Sequence, residues 1–393
     1  MAFGIYIHIP YCIQRCSYCD FATYEKSSIL PPSEYIEFVK KEIQVYGALL
    51  KDRPVDTIYF GGGTPSLVEP ELLVSLLDFL KQNGFNFTSK PEITIEINPA
   101  TINETKIGTY LAAGVNRFSV GAQTFNDALL KSVGREHDAE DTRKTLDMLS
   151  SHGLSYTFDL LFALPGQTRE DLQKDLEWVR RFSPNHLSAY CLTVPESHPL
   201  SRGRLPELDQ VAMFDMIEST LGGMGLRRYE ISNFARPGFE SQHNMIYWTD
   251  QEYWGVGLGA HSYIKEPGPT SEDTWGKRFW NPNNIHKYTK KMETLSIQRP
   301  SSIVDYRDSD HYEILAENQA LTDYCHVFLR IKQGLSLEML GAKFGQKRQR
   351  QVAEIFQNLH RKGLVEEILG NWRLTPEGVL ISNRVFEECT FLV

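Results

Sequence analysis

The chain is poor in cysteine. Six occur among 393 residues, too few and too unevenly spread for a disulfide framework, which predicts a reducing compartment. It also lacks long hydrophobic runs: none approaches the ~20 apolar residues of a membrane span. The opening MAFGIYIHIPYC is apolar but brief and has no basic stretch before it, so neither a signal nor a transit peptide is expected. Basic charge is short as well. With 41 Lys and Arg against 50 Asp and Glu, the net charge is −9, which argues against a general nucleic-acid binder. Internal repeats and low-complexity tracts are missing. What remains is a cytoplasmic globular chain, 41% hydrophobic and 23% charged, long enough for two or three domains.

Half of the scarce cysteines lie together. Cys12, Cys16 and Cys19 fall in YIHIPYCIQRCSYCDF, spaced C-x3-C-x2-C with no fourth cysteine nearby. Three thiolates suit three irons of a cubane [4Fe–4S] cluster and leave the fourth iron open, whereas clusters that only carry electrons normally take four cysteines. A structural zinc site also wants four ligands, and His8 is within reach to supply one. Cys191, Cys325 and Cys389 are expected to be core thiols.

Strand and helix patterns alternate over the first 225 residues. Apolar runs rich in aromatic and β-branched residues predict strands over 3–9, 56–60, 92–97, 117–122, 156–162 and 186–192. Ile36, Val39, Ile43 and Tyr46 recur at helical spacing after Pro31-Pro32-Ser33, and Thr168 with Asp171 reads as a capping-box start. Helices are also predicted over 70–83, 103–113, 138–151 and 207–222. Such β/α units imply a parallel sheet covered by helices, either open and doubly wound or a partial barrel. The placement of polar residues favours the barrel. The cysteines, Gly61-Gly62-Gly63-Thr64, Asn98-Pro99 and Gln123 each follow a strand, as functional groups do at the carboxyl ends of α/β barrels.

Beyond residue 225 the alternation fails. Residues 226–304 form an aromatic- and glycine-rich extension in which 265–285 reads as a long loop. From 305 to 393 the pattern turns helical and ends in GLVEEILGNWRLTPEG, a plausible hairpin, so a winged-helix-like module is expected. The run KFGQKRQRQ at 343–351 is locally basic. Residues 301–393 as a whole hold eleven Lys and Arg against thirteen Asp and Glu, which favours a solvated helix face over a DNA contact.

These motifs carry a resemblance. Through HIPYC…C..CDF, GGGTP at 61–65, EINP at 96–99, GAQTF at 121–125 and DLLFALPGQT at 159–168, the chain resembles the radical SAM superfamily. Within it, the likeness is to the group of oxygen-independent coproporphyrinogen dehydrogenase. The resemblance implies a partial (β/α)6 barrel and a [4Fe–4S] cluster on Cys12, Cys16 and Cys19. S-adenosylmethionine (SAM) would chelate the open iron, where an electron can break its sulfonium C–S bond. By the same likeness Gly62, Gly63 and Thr64 bring backbone close to SAM, and Glu96 answers its ammonium group or ribose. Gln123 and Asp159 serve the ribose hydroxyls, Arg135 the methionyl carboxylate, and Tyr6 and Tyr18 flank the adenine and cluster.

Departures from that group narrow the branch. Coproporphyrinogen dehydrogenases carry a further cysteine two residues past the third ligand, where this chain has Phe21, and a longer segment before the cluster. His243-Asn244-x-x-Tyr247-Trp248 and GVGLGAHSY at 255–263 instead resemble the heme-chaperone, HemW-type branch. That likeness implies heme as cargo, with His243 heme-linked and Tyr247, Trp248, Tyr253 and Trp254 facing the porphyrin. Its partners would be an acceptor protein for the heme and an electron donor for the cluster, with a homodimer and peripheral membrane contact left open. The alternatives are a coproporphyrinogen-oxidising enzyme and, in a third class, a winged-helix regulator that uses the cluster as a redox sensor.

Overall fold

The computed structural model describes residues 2–265, 275–295 and 311–391. Its centre is six parallel strands in sequence order: β1 (Phe3–Ile9), β2 (Val55–Gly62), β3 (Phe87–Ile97), β4 (Arg117–Gln123), β5 (Tyr156–Phe162) and β6 (His186–Cys191). Both β1 and β5 are buried at every position but one, as strands covered on both faces must be. The covering helices are α1 (Pro32–Tyr46), α2 (Pro70–Gln82), α3 (Glu104–Ala112), the short α4 (Asp127–Ser132), α5 (Ala139–Ser151), α6 (Arg169–Phe182) and α7 (Glu207–Gly223). Helix α1 buries Ile36, Val39, Ile43 and Tyr46, and α6 starts at the Thr168–Asp171 capping box. The result is the partial (β/α)6 barrel expected from the motifs.

The chain after residue 225 is more regular than its sequence predicts. Strand β7 (Asn233–Ala235) pairs antiparallel with β6. Strand β8 (Glu252–Val256) joins the free side of β1 in parallel. Then β9 (His261–Ile264), β10 (Lys277–Trp280) and β11 (Tyr312–Ile314) continue the sheet antiparallel, which reaches twelve strands among the described residues. The expected loop over 265–285 therefore needs correcting, since 277–280 is β10; residues 266–274 of it lie outside the described residues. The strand was hidden because one of its two buried positions is Lys277 rather than an apolar residue. Helices α8 (Gln242–Trp248) and α9 (Ile285–Thr294) complete the extension. The expected boundary at 304/305 also lies outside the described residues.

At the carboxyl end, α10 (Glu317–Arg330) and α11 (Leu337–Arg361), the latter broken at Gly345, pack on a three-stranded sheet of Leu335–Ser336, Asn371–Leu374 and Val365–Ile368. This is a winged-helix-like module with its own apolar core around Leu321, Leu329, Val352 and Phe356. Within the basic run, Lys343 pairs with Asp250 at 2.6 Å and Arg348 with Glu317 at 3.1 Å. Cys325 and Cys389 are buried as expected, but Cys191 is exposed, its thiol beside Gln210 and Arg204. It is the last residue of β6, past the covering layer.

One carboxylate binds the barrel to the extension. Glu42, buried on α1, accepts hydrogen bonds from the Gly257 amide at 2.9 Å, Asn281 Nδ2 at 2.6 Å and the Tyr288 hydroxyl at 2.9 Å. Removing it takes an acceptor from three buried donors, of which Asn281 Nδ2 keeps the Gly257 carbonyl at 2.8 Å. Glu42→Ala is expected to lower unfolding stability by about 3 kcal/mol in a urea titration, and Glu42→Gln by less. Equal, near-zero effects would show that the cluster of bonds carries no weight.

Candidate functional site

The site is built at the carboxyl ends of the strands. Beyond β1 the chain turns into the cysteine loop, where Cys12, Cys16 and Cys19 are all free thiols lining a cavity of about 400 Å3. The end of β2 fastens this loop: the Gly63 amide donates to the Ile9 carbonyl at 2.8 Å and Thr64 to Tyr11 at 2.7 Å. The glycines of GGGTP are needed for that closeness. A Cβ on Gly63 would stand 2.6 Å from the Tyr11 carbonyl oxygen, and one on Gly62, at φ +112°, would overlap the His8 ring. The space they save is thus filled by protein.

His8 is not a fourth metal ligand. Its Nε2 donates to the Ala22 carbonyl at 2.9 Å, its Nδ1 accepts from the Tyr6 hydroxyl at 3.1 Å, and it does not line the cysteine cavity. No group of three or more His, Cys, Asp or Glu side chains converges on a single-ion site among the described residues. Thiols distributed around a cavity suit a cluster in which each iron takes one of them. Burial pushes the Cys12 and Cys19 thiols up, so ligation must displace their protons.

Around the thiols stand groups whose charge or hydrogen-bonding capacity the protein leaves unmet. Arg135 donates to Cys16 Sγ at 3.6 Å and to the Gly121 carbonyl at 2.7 Å, while its buried Nε has no partner. The buried Asn98 Oδ1 is likewise orphaned. Glu96 accepts from the Tyr59 hydroxyl at 2.8 Å and the Gly62 amide at 3.0 Å. Burial, with the Asp159 charge adding to it, pushes Glu96 up to about 7. Burial pushes Asp159 up to about 6 against the pull of Arg117 and Arg135. Two desolvated carboxylates, an orphaned guanidinium nitrogen and an orphaned amide oxygen fit a ligand that carries both an ammonium and a carboxylate. Gln123 lines the same cavity at φ +64°, a left-handed backbone uncommon for a residue with a Cβ and concentrated at functional sites.

Of the residues anticipated from sequence, Tyr18, Gly62, Gly63, Thr64, Glu96, Gln123, Arg135 and Asp159 share the cavity with the three cysteines. Tyr6 does not; it lines a second cavity and stacks on Tyr59 at 6.1 Å. Residues not anticipated follow a simple rule. Arg117, Ser119, Thr157, His186 and Ser188 line the cavity as well: Thr157 lies two residues from Asp159, Ser119 and Arg117 share the face of β4 that carries Gln123, and His186 and Ser188 alternate along β6, because alternate side chains share a face.

The second cavity, about 880 Å3, opens beside the first and shares Phe21, Tyr59, Gly62, Glu96 and Asn244 with it. Its far wall comes from α8, whose start is held by Glu92 accepting from the Gln242 and His243 amides at 3.1 and 3.0 Å. His243 lines this cavity but has both ring nitrogens engaged, Nδ1 with the Thr57 hydroxyl at 2.7 Å and Nε2 with Tyr247 at 2.8 Å. Its ring stacks on Tyr59 at 5.0 Å, and burial lowers its pKa to about 3, so it is neutral. Tyr247 and Tyr253 line the cavity, in edge contact at 4.6 Å. The two tryptophans expected beside them do not. Trp254 is fully buried on the opposite face of β8, stacked on Phe85, and Trp248 lies under the Arg330 guanidinium at 4.4 Å.

A partial barrel with three free thiols over its strand ends is the arrangement of the radical SAM superfamily, whose family model matches residues 6–179. A model of the HemN C-terminal domain matches residues 328–381. Among solved structures, coproporphyrinogen III oxidase (HemN) from Escherichia coli superposes over the whole chain and 91% of its own, with a TM-score of 0.81 and 21% identity, which shows a common fold. Curated relatives are nearer in sequence. Heme chaperone HemW from Bacillus subtilis is 32% identical over 97% of both chains, and that from Lactococcus lactis 33% over 98% of this chain and 96% of its own. Heme chaperone HemW from Escherichia coli is 37% identical over 67% of this chain and 71% of its own. The chain belongs to the HemW family. A [4Fe–4S] cluster and SAM are accordingly its cofactors.

The raised Glu96 gives a pH signature. Because its folded pKa of about 7 lies above the ordinary 4.5, the protonated carboxyl is favoured by folding, and that contribution fades as pH rises from about 4.5 to about 7. Urea unfolding of the apo chain across that window should show a slope that Glu96→Gln flattens; an unaltered slope would mean the carboxylate is solvated.

Proposed function

We propose that this chain is a heme chaperone, taking heme into the larger cavity and passing it to an acceptor protein. The observation that carries the reading is the larger cavity itself. It adjoins the cysteine cavity, has the volume of a cofactor-sized cleft, and is walled by the rings of Tyr6, Tyr59, Tyr247, Tyr253 and His243. Arg15, on the cysteine loop, also lines it and offers a guanidinium to a carboxylate such as a heme propionate.

In this reading Cys12, Cys16 and Cys19 hold the cluster. Glu96 takes the SAM ammonium and Arg135 its carboxylate, Gln123 and Asp159 the ribose, and Gly62, Gly63 and Thr64 the backbone contacts, with Tyr18 beside them. When bound, the cluster supplies an electron to the sulfonium of SAM, and an external reductant must replace it. His243 belongs to the heme wall, where it holds the Tyr247 hydroxyl. Residues 1–225 form the cofactor-binding barrel, 226–304 the extension that builds the heme wall, and 305–393 the module packed beside it. A cytoplasmic location agrees with six unpaired thiols.

Anaerobic reconstitution followed by hemin titration tests the reading. Wild type is expected to bind one heme per chain beyond its cluster iron, without converting coproporphyrinogen III. Cys12→Ala is expected to lose most of the cluster iron and sulfide. Coproporphyrinogen turnover coupled to SAM cleavage would overturn the chaperone reading in favour of the enzyme, and a full cluster in Cys12→Ala would remove that ligand.

A further inference from the structure

The heme reading leaves the iron without a protein ligand. Three histidines line the larger cavity: His8, His243 and His261. The first two have both ring nitrogens in hydrogen bonds inside the protein. Among the described residues, none hydrogen-bonds to the ring of His261, which is exposed and makes one ring contact, a near-parallel stack on Trp280 at 5.5 Å and 15°.

Most other donors on the wall are already engaged. No cysteine or methionine lines this cavity. The hydroxyls of Tyr6, Tyr59 and Tyr247 are engaged with His8, Glu96 and His243. Tyr24 accepts from the Ile285 amide at 3.2 Å, and Glu96 is held by Tyr59 and Gly62. His261 is different. Neither of its ring nitrogens is taken by a described residue, which leaves a lone pair free for a metal at the cavity wall.

The chain is shaped to present this ring. Strand β8 ends in a turn, Gly257 to Ala260, that folds β9 back against it, and a Cβ on Gly255 would fall on the His261 carbonyl. Gly257 takes φ +94°, a conformation an L side chain resists. The register then sets His261 opposite Trp280 on β10, so the indole sits flat against the imidazole.

We propose that His261 is the axial ligand to the iron of heme held in the larger cavity, with Trp280 fixing the plane of its imidazole. The proposal rests on the heme reading, and the experiment separates the two. The full-length, anaerobically reconstituted chain is titrated with hemin and followed by absorption and electron paramagnetic resonance. Wild type is expected to show a histidine-ligated spectrum. His261→Ala, an exposed change that should leave the circular dichroism unaltered, is expected to lose that spectrum and bind hemin at least about tenfold more weakly. Free imidazole should restore the spectrum in His261→Ala, a rescue that a merely structural residue would not show. Trp280→Leu should bind hemin with a broadened or shifted spectrum. If His261→Ala keeps the wild-type spectrum and affinity while His243→Ala loses them, the assignment to His261 falls and the heme reading stands. If wild type takes up no stoichiometric heme, both fall.

Discussion

Two backbone hydrogen bonds, from Gly63 to Ile9 and from Thr64 to Tyr11, fasten the end of β2 to the end of β1, and the site follows from them. They fix where Cys12 leaves the sheet and so where the cysteine loop must cross the strand ends. They also place Gly62 so that its amide meets Glu96. Only glycine passes between these carbonyls and the His8 ring. A side chain there would push the end of β2 away from β1 and from the cysteine loop that follows it.

From β1 the site grows in two directions. On one side β2 to β6 supply the inward residues of the cysteine cavity in regular alternation. On the other, β8 pairs with β1 in parallel and brings Tyr253, the glycine turn and His261 to the second cavity. Glu42 secures that side by joining α1 to Gly257, Asn281 and Tyr288. The two cavities are therefore consequences of one strand having a parallel neighbour on each flank.

The sequence announced the barrel because its strands are near-continuous β-branched and aromatic runs, bounded by turn residues. It concealed the extension, where a buried lysine in β10 and glycines around β8 break every simple pattern. The site was half legible. Glu96, Gln123, Arg135 and Asp159 stood out through motifs, while Ser119, Thr157 and Ser188 on the same inner faces are unremarkable as letters. Adjacent aromatics misled: Tyr253 and Trp254 cannot both face one cavity from one strand, since neighbouring side chains point to opposite faces. Tyr6 misled because its ring packs against Tyr59 and lines the second cavity rather than the first.

Glu96 lies in the boundary between the cavities and lines both. If the second cavity takes its ligand as proposed, a single ionisable group common to both spaces links their occupancies thermodynamically. A cation that settles beside it from the first cavity alters the charge met by whatever enters the second, and the reverse effect must be equal in free energy. No moving part is needed for the two chambers to sense one another; a shared proton is enough.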